Sequence, residues 1–259
     1  MLNISDNPIL MSLLATMFTC FVTMLGGSVV FFFKKINKLL LDAMLALSSG
    51  IMLAASYFSL INPSLSMAES LGMNKVLVTS IGFLCGGLLI LLTDKIISYL
   101  HKDISTKKKR CFMLTSSISL HNFPEGLAIG VAFGSIMYHF SGATVESAIA
   151  LALGIGIQNF PEGAAISVPL RREGMSRSKA FLYSTFSGIV EIIAGILGAL
   201  LVLKVRIILP FCLALAAGAM IYVVSSELLP ECETNEHKGF ISTCVIIGFI
   251  IMMALDVLL

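Results

Sequence analysis

Two stretches of this chain place ligand-type side chains at helical spacing: HNFPEG at 121–126 and QNFPEG at 158–163. His121 and Glu125 are four residues apart, as are Gln158 and Glu162, so on a helix each pair stacks on one face. Asn122 and Asn159 lie three residues before those glutamates and border the same face. Pro124 has no N–H for the carbonyl of Leu120, and Pro161 has none for that of Ile157, which predicts a kink where each polar group sits. Gly126 and Gly163 would let a facing backbone come close. A third acid, Glu191 in SGIVEIIAG, falls in the middle of another apolar run. An imidazole, carboxylates and side-chain amides form a mixed nitrogen and oxygen ligand set without thiolate. That set suits Zn, Mn, Fe(II) or Co and disfavours Cu(I).

The elements that must carry these residues are membrane helices. The 259 residues are 57% hydrophobic and 12% charged, with mean hydropathy +0.98. Soluble domains carry roughly a quarter of their residues as charges. Breaks between apolar runs predict eight spans, near 9–33, 39–61, 76–100, 111–138, 143–170, 179–203, 207–229 and 239–258. The first is too long for a signal-peptide core and has no basic residue before it, so it reads as a retained span. Fourteen Lys and Arg fall on one side of this layout, including Lys34, Lys35, Lys107–Arg110, Arg171 and Arg172. Lys75, Lys204 and Arg206 fall on the other. The positive-inside rule then puts both termini outside. Gly82/Gly86, Ala194/Gly198 and Ala214/Gly218 are small residues four apart, a spacing that lets membrane helices pack closely. The net charge of +2 leaves no footprint for nucleic acid.

In this layout the two motifs lie at matched depth. Each begins about 18 residues from the short 138–142 turn, or about 27 Å along a helix, and antiparallel neighbours would bring them face to face. No Lys or Arg lies in the core of spans four to six. Three ionised carboxylates there would cost on the order of 8–10 kcal/mol on the insertion scale, so protons or a cation must neutralise them. A bare polar hinge is the competing reading, but it has to explain two nearly identical kinks at one depth. His101, His139 and His237 read as loop residues. Glu227 reads equally as an interfacial acid or an exit-side metal contact. Met52 and the Ser48/Ser49/Ser56 stripe read as packing. The six cysteines, without CxxC spacing, read as small hydrophobes.

With HNFPEG in the fourth of eight spans, QNFPEG in the fifth and SGxVE in the sixth, the whole chain resembles the ZIP (Zrt-, Irt-like) family of metal transporters, in its branch with glutamine opening the second motif. The resemblance implies one all-α integral membrane domain over residues 1–259, with eight helices in a 3+2+3 inverted repeat and kinked fourth and fifth spans. It implies an importer of divalent metal into the cytoplasm by alternating access, zinc foremost, at a binuclear site in the cell membrane. By residue, it implies one site of His121, Glu125, Gln158 and Glu162. Asn122, Asn159 and Glu191 form the second, with Glu125 and Glu162 bridging. Spans one, four, five and six would move. The expected partners are the transported metal, the lipid bilayer and a second copy in a homodimer, with no prosthetic group and no enzymatic activity. The loop 100–110 holds one histidine, His101, where many relatives have a His-rich stretch. An intramembrane metallohydrolase and a non-transporting metal sensor are the alternatives; the first needs an open metal position and a general base, and HNFPE is not HExxH.

Overall fold

The computed structural model describes residues 7–32, 37–100, 122–138, 143–172, 174–204, 206–232 and 237–258. Seven helices among them are long and apolar enough to cross a membrane. They are α1 (Pro8–Phe32), α2 (Lys38–Ser70), α3 (Lys75–Leu100), α5 (Val145–Arg172), α6 (Arg177–Lys204), α7 (Leu209–Leu228) and α8 (Lys238–Leu258). A further helix, α4, covers 122–135. The start of the expected fourth span, His121, His101, His139 and Cys111 lie outside the described residues.

Local chemistry sets the helix ends. The Asn7 side chain accepts from the N–H groups of Ile9 and Leu10 at 3.1 and 3.2 Å, with Pro8 opening the first turn. Thr144 and Ser147 cap α5 reciprocally, each hydroxyl accepting the other's backbone N–H. Both satisfy donors that a helix start leaves unpaired. At the other end, α2 and α5 stop in the same way. Gly72 (φ 67°) and Gly174 (φ 94°) take the left-handed conformation. The next residue's N–H then reaches back five positions, Met73 to Ala68 and Met175 to Leu170.

The second span runs past its expected end at residue 61 to Ser70. Asn62-Pro63 reads as a break, but the chain widens by one residue per turn over Ser56–Ile61, where the N–H of Asn62 bonds to the Tyr57 carbonyl. A wide turn accommodates the proline that a regular helix would exclude. A second wide turn, Val224–Leu228 in α7, likewise ends two residues before a proline, Pro230. On α5, Pro161 and Pro169 are carried inside one continuous helix.

Packing divides the helices into two groups. α5 is the most enclosed of these spans, and α3 and α8 are the least enclosed. A methyl on Gly26 would strike the Phe160 carbonyl, one on Gly163 that of Thr23, and one on Gly126 that of Glu191, so α1 meets α5 and α4 meets α6 backbone to backbone. Gly50 against Val245 and Gly248 against Leu47 join α2 to α8, and Gly86 against Leu215 and Gly218 against Phe83 join α3 to α7, in the same manner. The small residues predicted to pack at Gly82/Gly86, Gly198 and Ala214/Gly218 therefore do so. Across the seam between the groups, Gly154 of α5 faces the flexible side chain of Met252 on α8.

Adding a single methyl group tests this packing. Gly218→Ala should lower the stability of the detergent-solubilised protein by about 1–3 kcal/mol, the usual cost of overpacking. Gly239→Ala, where nothing lies within 4 Å of the new carbon, should leave it unchanged. Thermal unfolding of both variants beside the parent protein checks this.

Candidate metal centre

Three of the four helices in the first group carry the predicted ligands to one level of the interior. α4 brings Asn122 and Glu125, α5 brings Gln158, Asn159 and Glu162, and α6 brings Glu191. All six are at most 2% exposed. His121 lies outside the described residues.

The two motifs meet. The Gln158 amide, on α5, donates to Glu125 Oε1 on α4 at 2.6 Å. Asn159 spends both protons of its amide nitrogen, one on Glu191 Oε2 of α6 at 2.9 Å and one on the Thr19 carbonyl of α1 at 3.4 Å. Adjacent residues on one helix thus reach opposite ways, Gln158 to α4 and Asn159 to α6 and α1. The motif glycines admit a facing backbone, as their lack of side chains suggested. Gly126 sits against α6 and Gly163 against α1, which brings both helices close behind the carboxylates.

The centre has an excess of acceptors. Asn122 Oδ1, Glu125 Oε2, Gln158 Oε1, Asn159 Oδ1 and Glu191 Oε1 are buried with no hydrogen-bond partner among the described residues, and every one of them is an oxygen. A buried polar atom left unpaired costs about 1–3 kcal/mol, more if charged. Thr23 brings no proton to the cluster, because its hydroxyl donates to the Thr19 carbonyl of its own helix. A cation supplies what such a cluster lacks. Among the described residues, no group of three His, Cys, Asp or Glu side chains is arranged to hold a metal ion by itself.

One neighbour was not anticipated. Ser48 of α2, read from sequence as packing, is fully buried and donates to Glu162 Oε1 at 3.2 Å, with the Gln158 carbonyl at 3.5 Å. No local signal separates it from Ser49, which bonds back to the Leu45 carbonyl of its own helix. Only its position opposite α5 does. Ser56 likewise bonds within α2, to the Met52 carbonyl. Glu227 is half-buried in the wide turn of α7, away from these six residues along the chain, and His237 is exposed before α8. Among the described residues Cys20, Cys85, Cys212, Cys232 and Cys244 are free thiols.

A sequence model of the family described as ZIP Zinc transporter matches residues 9–111 and 102–256. The chain is 35% identical to Zinc transporter ZIP11 of Xenopus tropicalis, across 97% of this chain and 98% of the relative. It is 33% identical to Zinc transporter ZupT of Clostridium perfringens, across 98% and 97%. Zinc transporter GufA of Myxococcus xanthus is 33% identical across 77% and 79%.

The Asn159 brace is open to direct test. Asn159→Asp replaces the donor facing Glu191 with a second carboxylate, so in chelator the variant should unfold at lower temperature than the parent. Added zinc should recover more of the loss in Asn159→Asp than it adds to the parent, as a ligand bound only by the folded form does. Thermal unfolding with chelator and with zinc, in both proteins, gives the comparison.

Proposed function

The chain belongs to the ZIP zinc transporter family and is a multi-pass membrane protein, and on that premise we propose that it carries divalent transition-metal ions, zinc first, into the cytoplasm by alternating access. Transport rather than catalysis is the activity proposed. The observation that carries this reading is the cluster of buried acceptor oxygens on α4, α5 and α6, unanswered by any donor among the described residues. In an apolar bundle such a cluster needs a cation, and weak neutral amide oxygens among its ligands let the ion leave again.

The site is proposed to be binuclear. His121, Glu125, Gln158 and Glu162 hold one ion, Asn122, Asn159 and Glu191 the second, and Glu125 and Glu162 bridge them. The split of hydrogen bonds into a Gln158–Glu125 pair and an Asn159–Glu191 pair supports two subsites. The eight-span 3+2+3 layout is supported by paired packing. α3 lies on α7 as α8 lies on α2, and α1 meets α5 as α6 meets α4. The wide turn before a proline recurs in α2 and α7. The charge asymmetry supports termini outside and movement inward.

Alternating access needs one group to shift against the other. Close backbone contacts join helix pairs inside each group, and across the seam Gly154 meets the flexible Met252 side chain, which supports such a shift. A cavity of about 370 Å³, lined by Ser135 and Ser147 from one group and Ser59, Asn62 and Asp256 from the other, opens between them.

Purified protein in vesicles should take up zinc without cleaving any substrate, and Glu125→Ala should abolish uptake at low metal concentration. Full uptake by Glu125→Ala would remove the cluster from the route. Gln158→His, which exchanges a weak oxygen ligand for a stronger nitrogen one, should lower both the apparent KM and the maximal zinc rate. Initial uptake rates across a zinc series, with manganese as competitor, measure both effects.

A further inference from the structure

We propose that Ser48 is a positioning residue that latches the fixed group of helices to the transport site, holding Glu162 in one of the two arrangements the cycle requires. The proposal rests on the transport reading for its two moving groups, and on separate observations for the latch. Ser48 belongs to α2, whose close backbone partner is α8. Its hydroxyl nevertheless points across the seam, to Glu162 Oε1 at 3.2 Å and the Gln158 carbonyl at 3.5 Å on α5. Its neighbours along α2 include the buried apolar side chains Leu45, Ile51 and Met52, and the Ser49 hydroxyl is spent on its own helix.

Several other hydrogen bonds of the described residues stay within one group. Asn159 ties α5 to α1 and α6, Ser184 of α6 donates to the Gly163 carbonyl of α5, and Ser12 of α1 donates to the Gly195 carbonyl of α6. On the other side, Ser59 of α2 donates to Asp256 of α8, and Ser64 of α2 to the Pro210 carbonyl of α7. A displacement of the groups leaves these intact. It breaks the Ser48–Glu162 bond, because a hydrogen bond does not survive a shift of even 1 Å from 3.2 Å. The bond therefore favours the arrangement in which it forms. Its partner is a carboxylate proposed to bridge the metal subsites, so the latch links conformation to the site itself. A bond of this kind is worth about a tenfold bias between the arrangements.

The test places genetically encoded spin labels at exposed Leu84 of α3 and Ile193 of α6, one in each group, and reads the ratio of the populations at the two interspin distances. Ser48→Ala should shift that ratio about tenfold, while Ser48→Thr, which keeps the hydroxyl, should stay near the parent value. In a Glu162→Ala background the Ser48→Ala shift should disappear, since the bond has already gone. An unchanged ratio in Ser48→Ala, or the same shift with and without Glu162, overturns the latch. Zinc uptake by the parent protein in vesicles is measured alongside. Uptake without a Ser48 effect removes the latch and leaves the transport reading standing, whereas a distance shift without uptake removes that reading.

Discussion

Everything in this fold answers to one imbalance: a buried group of carboxylate and amide oxygens outnumbers the protons able to bond them. Glu125 and Glu191 are fully buried and Glu162 nearly so, in a bundle whose other interior surface is mostly hydrocarbon. Glu125, Glu191 and Glu162 are each oriented by a donor across a helix interface, from Gln158, Asn159 and Ser48 in turn. Glu125 and Glu191 each keep one oxygen with no hydrogen-bond partner among the described residues. A site built this way selects for a divalent ion with a preference for oxygen and nitrogen ligands.

Holding such a centre together requires close helix contact directly behind it. Gly126 and Gly163, each following a motif glutamate, put the backbones of α6 and α1 against the carboxylate-bearing turns. Glu191 and Thr19 are thereby brought within reach of Asn159. Packing and chemistry share the same residues: the glycine that permits the contact stands next to the acid that uses it. The second group of helices uses the same device away from the site, between α2 and α8 and between α3 and α7, while across the seam Gly154 meets the flexible Met252 side chain.

The ligand pattern was legible because four-residue spacing on a helix fixes which side chains share a face, and six of the seven residues named from spacing and resemblance lie in the described interior. The long α2 was not legible. Asn62-Pro63 looks like a terminator, and only the compensating wide turn over Ser56–Ile61 lets the helix continue. Ser48 was hidden for a different reason. A serine on an apolar helix bonds its own backbone by default, as Ser49 and Ser56 do. Whether it instead serves a neighbour depends on register between helices, which local sequence does not encode. The partners of the motif glycines were not legible on the same ground, since the sequence shows that a close approach is allowed without showing to whom.

The central claim is that the ion is held by oxygen and nitrogen donors of the paired motifs, away from the buried thiols. Zinc-edge X-ray absorption on the zinc-loaded protein tests it most directly. The account predicts a shell of light atoms alone, at about 2.0–2.2 Å, from carboxylate, amide and imidazole ligands. A sulfur shell near about 2.3 Å, the distance for cysteine thiolate, would place the ion elsewhere and contradict it.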